Sequence, residues 1–139
     1  MITLSPRLSF FLALTKAESH TTRRFDAHLG GLSFSYFMIL YYLNQAKDEK
    51  MRRIDLAERV GLTASGITRL LAPMEKIGLV KREASEHDAR VSNVTLAPAG
   101  KRKLTEALED AELLAKDLTQ SIPQKKISEA LALLMQMEK

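Results

Sequence analysis

Three side chains suited to recognising another molecule lie within five residues of one another. Thr68 follows Ser65 by three positions, and Arg69 comes directly after Thr68. This spacing places all three on one side of a helix. Hydroxyls can hydrogen-bond to phosphates or to bases, and a guanidinium can contact guanine through two parallel hydrogen bonds. We interpret these residues as a surface that contacts duplex DNA. For Arg69, a surface ion pair with a nearby acid is the alternative.

A second polar stretch, residues 84–90, ends in Asp88 and Arg90. An arginine there suits insertion into a narrow minor groove, where the negative potential is enhanced. Asp88 would repel phosphate unless it holds the Arg90 guanidinium by charge-assisted hydrogen bonds, so we expect that pairing. Lys81, Arg82 and the basic run at 101–103 are expected to contact the phosphate backbone. For any one of them, a solvated charge is the alternative.

Groups that could support catalysis are scarce. The chain contains no cysteine, no glycine-rich phosphate loop and no nucleophile motif. His20 and His28 are eight residues apart and have Glu18 or Asp26 nearby, so a metal-responsive regulator is an alternative. Exposed histidines on a polar helix are the simpler interpretation. We therefore predict neither an enzyme nor a cofactor.

The elements that position these side chains follow from turn and capping residues. A short helix, LAERV, ends at Gly61, and Thr63 can cap a second helix that Gly78 ends. Strands are expected at 79–83 and 91–97, with a further short strand at 51–53. The pattern predicts a mainly α fold with a small β-wing. The core side of the second helix is expected to carry four apolar residues, Ile67, Leu70, Leu71 and Met74.

Pro73 lies inside the second helix. It removes one helical hydrogen bond and its ring crowds the preceding turn, so we expect a kink near Ala72. The first two turns, which carry the polar surface, lie before that point.

The outer segments are also helical in pattern. A helix is expected over 5–29, an almost wholly apolar one after Ser33, and a last one after Pro123. Leu104, Leu108, Ala111, Leu114 and Leu118 form a heptad-like seam. We expect residues 1–30 and 104–139 to form dimerisation helices around a winged helix–turn–helix unit at 31–103. A monomeric bundle is the alternative.

Charge is distributed unevenly along the 139 residues. The net values are +2 for residues 1–50, +5 for 51–103 and −3 for 104–139. The positive excess lies on the segment expected to contact DNA, which fits a polyanionic partner. The sequence has no apolar run of transmembrane length and no signal-peptide pattern, so we expect a cytoplasmic protein.

The order of these elements and several motifs resemble the MarR family of winged helix–turn–helix repressors. The matching motifs are LAERVGL at 56–62, TRL at 68–70, EKIGLV at 75–80, Asp88 with Arg90, and Leu96 with PAG at 98–100. Ala64, Gly66 and Ala89 depart from the polar or basic residues frequent at those family positions.

The resemblance implies a homodimeric repressor that binds a pseudo-palindromic operator. It also implies release by a small molecule, often an aromatic acid or another phenolic, from a pocket between the dimer and DNA regions. The candidate pocket residues are Phe10, Phe11, Leu14, Phe37 and Tyr41, for each of which core packing is the alternative. Two other functions remain as alternatives: a winged-helix module that binds protein partners, and sequence-independent DNA binding. The salt dependence of DNA binding tests the first, and the affinity lost per base-pair mismatch tests the second.

Overall fold

The computed structural model describes residues 1–84, 87–88 and 90–138, and within them six α-helices accompany a three-stranded sheet. The helices are α1 (Pro6–His28), α2 (Phe34–Gln45), α3 (Arg53–Val60), α4 (Ala64–Lys76), α5 (Pro98–Leu118) and α6 (Gln124–Gln136). The strands are β1 (Lys50–Arg52), β2 (Val80–Ala84) and β3 (Ser92–Leu96), and a 3-10 turn at Lys47–Glu49 precedes β1. The mainly α fold with a small wing is confirmed.

Side-chain caps define where three helices begin. The side chains of Ser5, Ser33 and Thr63 each accept the backbone N–H of the residue three positions later. Each cap satisfies one of the amides that a helix start leaves unpaired. The starts of α1, α2 and α4 were therefore predictable from the sequence.

Two glycines end the helices of the helix–turn–helix. Gly61 has φ 77° and Gly78 has φ 83°, a left-handed conformation that glycine adopts without strain. The amide after each glycine donates to the carbonyl five residues earlier, at 2.8 and 2.9 Å. This pattern closes both helix ends within a single turn, so α3 is joined tightly to α4, and α4 to β2.

The sheet has the order β1-β3-β2, with both pairs antiparallel. Met51 lies opposite Val94, and Arg82 lies opposite the same residue from the other side. The strand expected at 51–53 is present one residue earlier, and those expected at 79–83 and 91–97 differ by one residue at their bounds. The wing is therefore anchored at its base by a strand that precedes the helix–turn–helix.

The core lies between α2, α3, α4, the sheet and α5. Ile67, Leu71 and Met74 of α4 are at most 2% exposed, and Leu70 packs partly buried against the same cluster. Ile39, Leu40 and Leu43 of α2 are fully buried, as its apolar composition predicted. The other members include Leu56, Val80, Val94, Leu104 and Ala107.

Helix α4 continues through Pro73 to Lys76 as a single helix. The proline has no N–H to donate to the carbonyl of Arg69, so that bond is missing from the helix. The polar first two turns lie before it. They begin at the Thr63 cap and are regular.

A close backbone approach fixes the start of α5 against the wing. A Cβ placed on Gly100 would collide with the carbonyl oxygen of Leu79 and crowd the side chains of Leu96 and Leu40. The Ala97 amide donates to the same carbonyl oxygen at 3.1 Å. Only glycine allows α5 to begin this close to β2.

The terminal helices differ from the rest, because neither α1 nor α6 contains a buried residue. Leu104, Ala111 and Leu114 of the expected seam are buried within the chain, whereas Leu108 is 42% exposed. The large apolar side chains that remain exposed on the terminal helices include Leu8, Phe11, Leu12, Ile127, Leu131, Leu134 and Met135. Over the described part of the chain, no helix has the length and apolarity needed to cross a membrane.

Candidate nucleic-acid interface

Helix α4 presents a polar side away from the core. Ser65 and Arg69 are exposed and Thr68 is half-buried, while Ile67 and Leu71 point into the core. The first turn carries only small side chains next to the Thr63 cap. A helix of this kind can approach a groove closely, and its N-terminal dipole favours a nearby phosphate.

The two hydroxyls of this surface already have local partners. Thr68 donates from Oγ1 to the carbonyl of Ala64 at 2.9 Å, and the Ser65 hydroxyl lies 3.2 Å from that of Thr63. Both oxygens keep lone pairs that accept hydrogen bonds. Either side chain can donate to a ligand after rotation about χ1.

Arg69 makes no ion pair with any residue of 1–84, 87–88 or 90–138. The alternative role for it, a surface ion pair, is absent from this part of the chain. Its guanidinium projects from the exposed side of α4, one turn after Ser65. It is placed to contact a base edge or a phosphate.

The predicted pairing of Asp88 with Arg90 is present in the wing. The Arg90 backbone amide donates to Asp88 Oδ1 at 2.9 Å, and Arg90 Nε donates to the same oxygen at 3.3 Å. The Arg90 side chain is 92% exposed. Asp88 therefore restrains the base of a guanidinium that otherwise extends into solvent.

Lys81 and Arg82 lie on opposite faces of β2, because successive strand residues alternate. Arg82 shares its face with buried Val80, and its Nε donates to Glu75 of α4 at 3.2 Å. Lys81 faces the other way and is exposed. The structure thus separates two residues that were expected to act alike, and it ties Arg82 to the helix.

The basic run after the wing is also partly engaged. Lys101 Nζ lies 3.1 Å from Oε2 of Glu49 in the 3-10 turn, a contact whose geometry is that of an ion pair rather than a hydrogen bond. Arg102 and Lys103 are exposed. Of these three residues, Lys101 has the charge least available to a further partner, because Glu49 already lies beside it.

Two arginines that the sequence patterns did not single out lie beside this surface. Arg52 donates to both carboxylate oxygens of Asp55, at 2.9 and 3.1 Å. This hydrogen bonding lowers the pKa of Asp55 below its ordinary value and raises the pKa of Arg52. Arg53 lines a cleft with Arg90. The sequence signal for them was a pair of consecutive arginines at the start of the first helix of the motif.

The five candidate pocket residues do not form one cluster within the chain. Phe10 and Phe11 are exposed on α1 with ring centroids 5.5 Å apart, and Leu14 is half-buried. Phe37 stacks on Phe34 within α2, and Tyr41 is 40% exposed beside Tyr42.

A cleft of about 1080 Å³ lies between α2, α3, β1 and the end of α6. Met38, Tyr42 and Met51 give it an apolar side, and Asp55, Glu58, Arg59, Val60, Gly61, Met135 and Glu138 complete its lining. The cleft lies between the end of α6 and the winged-helix unit. Its residues differ from those named from the sequence.

The histidines of α1 do not build a metal site with their neighbours. His28 Nδ1 lies 2.7 Å from the Arg24 carbonyl oxygen, and both His20 and His28 are exposed. Within the residues that the structure describes, no three histidine or acidic side chains are grouped to hold a metal ion. The metal-responsive alternative therefore has no support from this geometry.

Sequence comparisons place residues 30–91 within a family model described as MarR family. The HTH-type transcriptional repressor YetL of Bacillus subtilis is 34% identical over 104 residues, which are 73% of this chain and 62% of YetL. The chain thus spans less than two thirds of that relative.

Solved structures share the fold over nearly the whole chain. The transcriptional regulator BldR of Sulfolobus solfataricus has a TM-score of 0.84 at 26% identity, covering 99% of each chain. MOSR of M. tuberculosis, solved with DNA, has a TM-score of 0.78 at 24% identity and covers 91% and 92%. NadR with 4-hydroxyphenylacetate has a TM-score of 0.81 at 22% identity and covers 100% and 99%.

Proposed function

Because the chain belongs to the MarR family of winged helix–turn–helix transcriptional regulators, we propose that it is a homodimer that represses transcription from a pseudo-palindromic operator. One observation carries most of this proposal. Helix α4 buries Ile67 and Leu71 while it presents Ser65 and Arg69 outward, beside a wing that carries Arg90. MOSR was solved in complex with DNA, which supports the same partner for this chain.

Dimerisation is supported by the exposed apolar side chains of α1 and α6. Removing such surface from water stabilises an association by about 25 cal/mol per Å². Two winged-helix units held about 34 Å apart could enter successive major grooves of one duplex face. We propose that residues 1–30 and 104–139 provide that spacing and that residues 31–103 contact the DNA.

The DNA-binding proposal is tested with duplexes selected from genomic fragments. Arg69→Ala and Arg90→Ala should each weaken binding by about 1–3 kcal/mol. Arg23→Ala, which removes an exposed arginine from α1, is the charge-matched control and should leave affinity nearly unchanged. The wild-type affinity should fall steeply with salt, as expected for about six to eight neutralised phosphates. A flat salt dependence would instead favour a module for protein partners.

The dimer is tested by sedimentation of the whole chain. We expect a species of twice 15.6 kDa for the wild type. Replacing Leu131 and Leu134 together by lysine should dissociate it, because both lie on the exposed apolar side of α6. Glu129→Lys introduces a lysine on the same helix and is the control. A wild-type monomer at micromolar concentration would contradict the proposal.

We further propose that a small aromatic or phenolic ligand releases the protein from DNA by favouring an unsuitable spacing of the two units. NadR was solved with 4-hydroxyphenylacetate, and another solved relative, RdhR, with 2,4-dichlorophenol. The cleft lined by Met38, Tyr42 and Met51 supports such a ligand between the terminal helices and the winged-helix unit. The set named from the sequence, which includes Tyr41, is the competing location.

The adjacent tyrosines Tyr41 and Tyr42 separate these two locations. Both compounds are added in turn while thermal stability and release from DNA are measured. If the cleft binds the ligand, Tyr42→Ala abolishes both responses and Tyr41→Ala preserves them. The reverse result moves the site to the residues named from the sequence, and no response in the wild type removes these two compounds as effectors.

A further inference from the structure

We propose that a cleft between α3, α4 and the wing holds one backbone phosphate of the bound duplex and that Arg53 binds this phosphate. We call this cleft the arginine notch. This proposal rests on the proposed DNA binding. It adds a DNA contact from the start of α3, which lies outside the polar side of α4. The notch is lined by Arg52, Arg53, Ile54, Ala64, Ile67, Arg90, Val91 and Ser92.

The size and lining of the notch suit an oxyanion. Its volume is about 240 Å³, and none of the lining residues that the structure describes is acidic. A water molecule occupies about 30 Å³ of the liquid, so the notch can hold a phosphate group together with bridging waters. Of the eight described residues that line it, three are arginines, whose planar guanidinium matches phosphate geometry.

The charges of these arginines are not equally available. Arg52 is held by Asp55 at 2.9 Å and Arg90 by Asp88 at 3.3 Å. Arg53 is half-buried, and it forms neither an ion pair nor a side-chain hydrogen bond with the described portions of the chain. A partly enclosed charge with no partner gains more from a counter-ion than a fully hydrated one does. Arg53 is therefore the group that an incoming phosphate would neutralise.

Two further features of the notch favour an anion. The first residue of α4, Ala64, forms part of one wall, and a helix N-terminus favours negative charge. Ser92 is also in the lining, and its Oγ is buried without a hydrogen-bond partner. A buried hydroxyl without a partner is costly. Rotation about χ1 would let it donate to a phosphate oxygen in the notch.

The location of the notch favours a duplex phosphate over a free anion. It lies between the first turn of α4, which carries Ser65, and the returning arm of the wing, which carries Arg90. Both are proposed to contact DNA. A duplex that contacts both must carry its backbone across the space between them, where the notch opens.

The first test compares Arg53 with an exposed arginine outside the notch. Arg53→Ala should weaken binding to a selected duplex about tenfold or more, as expected when a charged hydrogen bond is removed. It should also reduce the log–log salt slope by about 0.9 for each phosphate that is no longer neutralised, or nearly 2 for a dimer. Arg23→Ala removes an exposed arginine from α1, outside the notch, and should change neither value. Arg53→Lys should restore the slope but only part of the affinity.

A second test identifies the phosphate directly. Duplexes carrying one neutral methylphosphonate at each successive position are titrated with the wild type and with Arg53→Ala. We expect one position in each half-site at which neutralisation weakens the wild type but not the variant. If the variant loses as much affinity as the wild type at every position, Arg53 contacts no single phosphate and the proposal is overturned.

Inorganic phosphate distinguishes the free anion from the duplex. At equal ionic strength, phosphate and chloride buffers should give the same DNA affinity. If phosphate weakens wild-type binding tenfold more than chloride, and Arg53→Ala removes that difference, the notch is a site for a free anion instead. A wild type that binds no duplex refutes the proposed function, whereas a DNA-binding protein indifferent to Arg53→Ala refutes only the notch.

Discussion

Helices α4 and α6 are both 13 residues long and carry apolar side chains at the same three positions. The fourth, eighth and eleventh residues are Ile67, Leu71 and Met74 in α4, and their counterparts in α6 are isoleucine, leucine and leucine. In α4 the three are at most 2% exposed. In α6 the equivalent residues, Ile127, Leu131 and Leu134, are 38%, 53% and 38% exposed.

The difference shows that an amphipathic pattern predicts which side of a helix is apolar, but not which part of the protein covers that side. The apolar side of α4 is covered by α3, β2 and the rest of the winged-helix core. The same pattern in α6 finds no such cover within the described part of the chain. The core of the winged-helix unit is thus closed within the chain, with Leu104 and Ala107 of α5 contributing to it. The terminal helices α1 and α6 leave apolar side chains exposed, and we propose that a second copy covers them.

The largest expected effect is on the free energy of unfolding, when one matched leucine in each of the two helices is replaced by alanine. Leu71→Ala leaves a cavity in the core and should lower the free energy of unfolding by about 2–5 kcal/mol. Leu131→Ala should lower stability only through the dimer, so its effect should vary with protein concentration. Chemical denaturation at two concentrations a hundredfold apart measures both. Equal, concentration-independent losses would show that α6 is buried within its own chain.

The next largest effect on stability is expected in α5, the helix that connects the winged-helix unit to α6. Gly100→Ala places a methyl group against the Leu79 carbonyl oxygen and should destabilise the protein by about 1–3 kcal/mol, as overpacking does. This destabilisation should be independent of protein concentration, because Gly100 and Leu79 meet at the base of the wing. Thermal and chemical unfolding measure it. An unchanged stability would mean that α5 begins farther from β2 than described.

A smaller effect is expected where α4 meets the wing. Glu75→Gln breaks the ion pair with Arg82, whose side chain is 54% exposed, so solvent screens the pair and stability should change by about 1 kcal/mol or less. The freed arginine and the removal of an acid should instead strengthen DNA binding severalfold at low salt. Titration of a selected duplex at two salt concentrations measures this. Weaker binding would show that Glu75 holds Arg82 in the orientation that contacts DNA.

The smallest effect should come from the exposed pair of Arg52 and Asp55. The pKa of Asp55 is lowered in the folded chain by its hydrogen bond to Arg52, so the pair stabilises the fold above the unfolded pKa of about 3.9. That contribution is lost as the pH falls through the lowered folded-state pKa. The melting temperature of the wild type should exceed that of Asp55→Asn slightly at pH 7, and the two should converge in acid. A difference that grows in acid would contradict the assigned sign.

Most of the fold was predictable from the sequence because the decisive signals are local. The caps at Ser5, Ser33 and Thr63, and the left-handed glycines at positions 61 and 78, act within one helical turn. The pairing of Asp88 with Arg90 spans two residues and was also predicted. These interactions depend little on the rest of the chain.

Interactions between distant residues were the ones that the sequence did not reveal. Arg82 and Glu75 are joined only because β2 returns along α4, and Lys101 meets Glu49 only because α5 begins beside the 3-10 turn. The arginine notch likewise combines residues from β1, α3, α4 and the wing. The roles proposed for the DNA and ligand sites stay predictions, since they depend on partners outside the chain.

The short strand β1 has a mechanical consequence for the proposed regulator. Its last residue, Arg52, is also the cap residue of α3, so no linker separates the sheet from the helix–turn–helix. A force applied to the wing is therefore transmitted to α3 and α4 without a flexible joint to absorb it. We expect a ligand that alters the spacing to move each winged-helix unit as one body. The pivots available for that movement lie at its borders, of which the left-handed pair Gly30 and Gly31 is one.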